Sequence, residues 1–241
     1  MSQLMILIWI INFGSCQGYV ELKSYRNMEK FQLIEFMEQE ILRNRKYYDQ
    51  VLIEDMDLYQ FLFSSHQLAD KKLSMAAMFD NKTIAGMNMI VKHSQLDQLY
   101  MPGPMKDILK FLYTCCEAIR PPGLHKDKGY VTILAMNRND LTGQRLIETT
   151  WRKLVAGNVI DEIDFYHILW SNNKVKTKIF LEMMGYQKIS CGHTKEKDYA
   201  DLNIDSCDLK RINITEKISE NVCLYLLVME NLDDDADHND Q

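Results

Sequence analysis

The residues best placed to do chemistry lie between positions 131 and 146. An apolar run that includes Val131, Thr132, Ile133 and Leu134 enters a turn carrying Arg138 and Gly143. A helical pattern follows at once, with Leu146, Ile147, Trp151 and Leu154 on one face. Backbone N–H groups at a helix start have no intrahelical partner, and the helix dipole is positive there. With the Arg138 guanidinium beside them, such a turn suits a pyrophosphate.

The same residues resemble a known family. Arg138-Asn139-Asp140-Leu141-Thr142-Gly143-Gln144-Arg145-Leu146 looks like the signature of the GNAT acetyltransferases, Arg/Gln-x-x-Gly-x-Gly/Ala followed by a helix with Leu three places on. Arg138, Gly143 and Leu146 match in spacing, and Leu141 stands where the middle glycine is expected. Lys178-Ile179-Phe180-Leu181-Glu182-Met183-Met184-Gly185-Tyr186 resembles the helix of that family that ends in a hydrophobic residue, Gly and an aromatic. Upstream, the segment from Leu73 through Asp80-Asn81-Lys82 to Gly86 is similar to a hairpin of insect arylalkylamine N-acetyltransferase-like proteins. The three segments stand in the family's order and span residues 28–190.

The resemblance implies a GNAT fold in which the strand near 130–136 and the strand near 164–170 splay apart, with acyl-CoA in the wedge. Its pantetheine would pair with the backbone of Val131, Thr132 and Ile133. Its phosphates would rest on Arg138, Asn139, Asp140, Leu141, Thr142, Gly143 and Gln144, and Asn172 or Asn173, after the second strand, would touch the pantetheine arm. The donor implied is acetyl-CoA, the acceptor a small amine, and no metal takes part. Attack of a neutral amine on a thioester needs a base, a donor for the carbonyl oxygen and an acid for the thiolate. Where many members carry the acid, a Tyr four residues before the helix-ending Gly, this chain has Leu181. Where the insect branch carries a Glu base, residues 41–46 hold no carboxylate, although Glu38 and Glu40 are near. Thr132 is the hydroxyl nearest the expected thioester. The catalytic candidates are therefore Thr132 and Glu40, against the plainer readings of a strand filler and a solvated helix face. Two functions stay open: an N-acyltransferase, and a domain of the same fold that binds without turnover.

Other motifs offer less. No Gly-x-Ser-x-Gly elbow and no Gly-Lys-Ser/Thr phosphate loop occurs. His167 lies in a strand pattern and reads as a core or edge residue. The six cysteines, Cys16, Cys115, Cys116, Cys191, Cys207 and Cys223, form no CxxC pair. In a chain this long and apolar a disulfide framework is not needed, and they read as mostly free, buried thiols.

The elements that must position these groups follow from periodicity. Helices are expected over residues 28–48, 53–63, 105–119, 144–156 and 174–184. Strands are expected over 74–79 and 84–91, joined as an antiparallel hairpin, and over 130–136, 164–170, 187–191 and 222–229, with a loop at 137–142. The order is α+β around one central mixed, mostly antiparallel sheet flanked by helices.

At 241 residues and 46% apolar content the chain suits one domain, taken as residues 20–230. Residues 1–19 hold an apolar run from Leu4 to Phe13 that reads as a first strand or a signal-like segment, too short to span a membrane. Residues 231–241 read as an acidic disordered tail. Its Asp233, Asp234, Asp235, Asp237 and Asp240 account for five of the six net negative charges. The nearly neutral body argues against a nucleic-acid partner. A cytoplasmic monomer or homodimer is expected; the alternative is a secreted protein, which would show paired cysteines and occupied sequons at Asn81 and Asn213.

Overall fold

The computed structural model describes residues 10–11, 20–43, 55–79, 82–100, 106–137, 140–156, 164–172, 174–192, 194–195, 207–208 and 222–230. In chain order the strands are β1 (Ile10–Ile11), β2 (Val20–Ser24), β3 (Met75–Phe79), β4 (Thr83–Lys92), β5 (Gly129–Asn137), β6 (Phe165–Asn172), β7 (Gln187–Cys191), β8 (Thr194–Lys195) and β9 (Val222–Met229). The helices are α1 (Lys30–Arg43), α2 (Asp55–Leu68), α3 (Lys106–Ile119), α4 (Asp140–Val155) and α5 (Val175–Met183).

The strands form one sheet in the order β2-β3-β4-β5-β6-β9-β7-β8, with β1 attached to β5. Every pairing is antiparallel except β1 with β5 and β5 with β6. Helices cover both faces, so the central strands are buried on both sides and lack the simple alternation of a half-exposed sheet. Period two still sorts the side chains. Met87, Met89, Val91, Val131, Ile133 and Ile168 pack toward Leu33 and Met37 of α1, Phe61 of α2 and Leu112 of α3. Ile90, Tyr130, Phe165 and Leu169 pack toward Leu154 of α4 and Leu181 of α5.

The strands β5 and β6 stay together only for the pairs Gly129↔Tyr166, Tyr130↔His167 and Val131↔Ile168. Gly129 permits this close start, since a Cβ there would stand 2.3 Å from Cζ of Tyr166. Beyond Val131 the two strands part. β6 continues to Asn172 paired with β9, and β5 continues to Asn137 paired with β4. On the side facing the gap, β1 pairs in parallel with the last residues of β5, Ile10↔Met136 and Ile11↔Asn137.

Several expectations need correction. The cysteines are not mostly free: Cys115 is bonded to Cys207 and Cys191 to Cys223, while Cys116 is a buried free thiol. Cys191 and Cys223 are cross-strand partners in the β7–β9 register, with Cα atoms 4.1 Å apart. Cys115 and Cys207 lie 92 residues apart in sequence, a separation that hides their proximity. The helix after β5 begins at Asp140 rather than Gln144, so Asp140, Leu141, Thr142 and Gly143 are its first turn and not a loop. A carboxylate at that position is favoured by the positive end of the helix. Asn172 is the last residue of β6, paired with Val222, and not part of a following loop. Strands β2 and β8 were not expected; each is short and lies at an end of the sheet order. The helix stop at Gly185 is as expected: its φ of 84° is the left-handed conformation a glycine supplies after a helix.

Candidate active site

A cavity opens where β5 and β6 part, on the face covered by α4. Its apolar wall includes Met87, Leu146, Ile147, Leu169 and Trp170, and its polar groups are Asn88, Thr132, Thr150, His167 and Tyr186, with Gly143 at the edge. Each polar group reaches it for a local reason. Thr132 and His167 alternate with the residues that face α1 to α3, so period two turns them toward α4. Tyr186 follows the glycine that ends α5 and enters β7 buried, at 2% exposure.

The polar groups form two hydrogen-bonded sets. Thr132 Oγ1 lies 2.9 Å from His167 Nε2, and His167 Nδ1 lies 2.7 Å from the Tyr186 hydroxyl. The second set ties α4 to the sheet. Asn88 donates from its side-chain nitrogen to Thr150 Oγ1 at 2.6 Å and accepts the Met75 backbone N–H at 2.7 Å. This clamp, with Leu146 packed near Val20, Met75 and Ala77, fixes where the first turn of α4 sits against the end of β5.

Burial dominates the electrostatics. It holds His167 neutral, pushing its pKa down to about 3, because an imidazolium there would lose its hydration. The same burial pushes the Tyr186 phenol well above its usual range, so it stays protonated. At neutral pH the chain from Thr132 to Tyr186 is therefore uncharged, with both hydroxyls protonated and the imidazole neutral.

Of the residues expected to hold a cofactor, Val131 lies in the last β5–β6 pair, and Thr132 and Ile133 lie just beyond it on the parted edge. Thr142 and Gly143 are buried in the first turn of α4, and Gln144 is half-buried. Asp140 and Leu141 open that helix, and helical backbone asks for no glycine at Leu141. Arg138, Asn139 and Asn173 lie outside the described residues, as does the side chain of Glu40, which sits in α1. Among the described residues, none of α1 lines the cavity. Leu181, at the place where a Tyr acid was sought, is fully buried in the core under α5.

His167 and Tyr186 are the groups that sequence reading missed. Both carried a signal: Phe165, His167 and Leu169 share a strand face, and the aromatic after Gly185 is a phenol. Among the described residues no group of three or more His, Cys, Asp or Glu side chains is placed to hold a metal, and no helix is long and apolar enough to cross a membrane.

No protein-family model matches the sequence, and no curated protein matches it. Solved structures do. Arylalkylamine N-acetyltransferase 2 from Aedes aegypti superposes with a TM-score of 0.50 at 15% identity, covering 88% of this chain and 99% of its own. An acetyltransferase of the GNAT family from Staphylococcus aureus Mu50 matches at a TM-score of 0.42 and 13% identity, covering 88% of this chain and 100% of its own. FeeM, an N-acyl amino acid synthase from uncultured soil microbes, matches at 0.44 and 13%, covering 87% and 91%. At these identities the likeness speaks to architecture, and of these three the mosquito enzyme carries it. A mixed sheet whose parallel pair opens beside the start of a helix, superposing on that enzyme over nearly all of its length, gives this chain the GNAT acetyltransferase fold.

Proposed function

We propose that residues 20–230 form an acyl-CoA-dependent N-acyltransferase that moves an acetyl group from acetyl-CoA to a small arylalkyl amine. The observation that carries this reading is the parting of β5 from β6 after Val131. Among the described residues, Thr132 to Ala135 pair with no strand on that edge, so their backbone groups are available to an amide-bearing ligand. Pantetheine carries two amides and fits such an edge as an added strand would. The first turn of α4 lies where the edge ends and suits the pyrophosphate. Arg138 would supply the cation, and Gly143 would let the ligand approach the backbone. The amine class follows the name of the mosquito enzyme.

In the reaction the amine nitrogen forms a bond to the thioester carbon, the C–S bond breaks, and the amine proton ends on the CoA sulfur. CoA supplies the activated acyl group. The protein binds, orients and excludes water, worth several orders of magnitude in rate by itself. Thr132 is the hydroxyl offered to the reacting atoms. Glu40 enters only if the acceptor amine is held between α1 and the cavity.

Titration calorimetry of acetyl-CoA and of desulfo-CoA tests the reading, since phosphate contacts serve both ligands. Binding near micromolar, about −8 kcal/mol, that is lost in Arg138→Ala supports it. No heat at millimolar ligand would overturn it and leave the second reading, a domain of this fold without its cofactor. The pairing of β1 with the end of the same β5 edge is the observation that favours that second reading.

A further inference from the structure

The Thr132–His167–Tyr186 chain has a direction, and the direction decides what Thr132 can do. A neutral imidazole has one N–H donor and one lone-pair acceptor. Both ring nitrogens of His167 are engaged, Nε2 by Thr132 and Nδ1 by Tyr186. Only two arrangements of the protons are then available. In the first, Nδ1–H donates to the Tyr186 oxygen and Thr132 donates to Nε2. The phenol proton must then find another acceptor inside the core, and among the described residues the bond recorded for that hydroxyl is the one to His167. A buried donor without a partner is costly. In the second, Tyr186 donates to Nδ1 and Nε2–H donates to Thr132, so no proton inside the core is stranded. Thr132 is half-buried and lines the cavity, so its own hydroxyl proton is the one left to be given outward.

We infer that His167 and Tyr186 are positioning residues that hold the Thr132 hydroxyl as a hydrogen-bond donor aimed into the cavity. This rests on the acyltransferase reading for its chemical consequence. As the amine nitrogen bonds to the thioester carbon and the C–S bond breaks, Thr132 gives its proton to the departing sulfur and its oxygen takes the proton released by nitrogen. Thr132 is regenerated, the products are an amide and CoA thiol, and no charge is placed on His167. A buried imidazole that resists protonation is a poor general base and a good fixed donor. Among the described residues lining the cavity, His167 and Tyr186 are the titratable side chains, and both belong to the chain.

Two measurements test this on the full-length protein. Nitrogen NMR of the wild type reads the His167 tautomer without any need for turnover. The expected result is the Nε2–H form, unchanged between about pH 5 and 8; an Nδ1–H form, or titration in that range, would overturn the assignment. Steady-state kinetics then reads its use. His167→Leu is expected to lower kcat about 10- to 100-fold with KM for acetyl-CoA unchanged, whereas His167→Gln, whose amide can still donate to Thr132, retains most of the rate. Thr132→Ser keeps activity and Thr132→Ala loses it as His167→Leu does. Equal losses in the Leu and Gln variants, or no loss in either, would sink the positioning role. If the wild type turns over no amine yet shows the Nε2–H form, the acyltransferase reading fails and the assigned proton order stands.

Discussion

The ring of Tyr166 lies across Gly129, its partner in the first β5–β6 pair, and its hydroxyl reaches His93 Nδ1 at 2.6 Å. The ring cannot move off the glycine without giving up that bond. Glu117 Oε1 stands 3.3 Å from the other imidazole nitrogen of His93 and fixes the far end of the arrangement. Gly129→Ala is therefore expected to destabilise the fold by about 1–3 kcal/mol, the usual range for overpacking. Urea unfolding checks it, and an unchanged midpoint would mean that the Tyr166 ring is free to shift.

The two disulfides close loops of very different length, with sequence separations of 92 and 32 between partners. Chain-entropy arguments put the stabilisation of each at roughly 4–5 kcal/mol, an upper figure for real proteins. Alkylation of the native, unreduced protein followed by mass spectrometry should leave four of these cysteines unlabelled, with Cys116 protected by burial. Reduction should then lower Tm by several degrees. Such bonds persist in oxidising compartments, so they support the secreted alternative over a cytoplasmic one. Full labelling of the native protein would remove that support.

Buried neutral histidines make stability depend on pH. Burial, opposed in part by Glu117, pushes His93 down to about 4, with Arg120 and Lys126 adding to the lowering; burial alone pushes His167 down to about 3. Both values lie below that of an unfolded histidine, about 6.5. The unfolded chain therefore binds protons first as pH falls. The contribution of the two histidines is complete above about pH 6.5 and is lost progressively toward pH 4 for His93 and pH 3 for His167, by on the order of 3–5 kcal/mol for each once its folded pKa is reached. Urea unfolding along a pH series measures the slope, and His93→Leu should flatten it. An equally steep slope in that variant would assign the acid sensitivity elsewhere.

The elements that carry strong local signals were legible in the sequence, and the contacts between them were not. β9 falls at residues 222–229 as expected, because a run flanked by polar segments and apolar on both faces has one reading. The β3–β4 hairpin is equally plain, its turn residues standing between two apolar runs. The start of α4 was placed four residues late, because Asp140 and Thr142 read as turn residues when they are residues favoured in a first helical turn. The site divides in the same way. Thr132 could be named from its place on a strand, but its partner is 35 residues away and the partner's partner 19 further, and nothing local links them. The pairing of Cys115 with Cys207 is hidden for the same reason: it is a fact of topology and not of spacing.

The last relationship to test is the one between β1 and the open edge of β5. Ile10 and Ile11 pair with Met136 and Asn137, five and six residues past the last β5–β6 pair at Val131 and next to the start of α4. A pantetheine that extends along this edge toward the helix meets the same backbone groups. Where two strands compete for one edge, the apparent affinity of the ligand is reduced by the fraction of molecules in which the edge is free. Replacing both Ile10 and Ile11 with Pro removes their N–H donors and disfavours the strand in the intact chain. Acetyl-CoA should then bind more tightly. Two strand hydrogen bonds at ~1 kcal/mol each set the ceiling at roughly thirtyfold. Calorimetry of the wild type and the double variant measures the ratio directly. Equal affinities would show that the ligand ends short of Met136, and that the phosphates are held by the first turn of α4 without displacing β1.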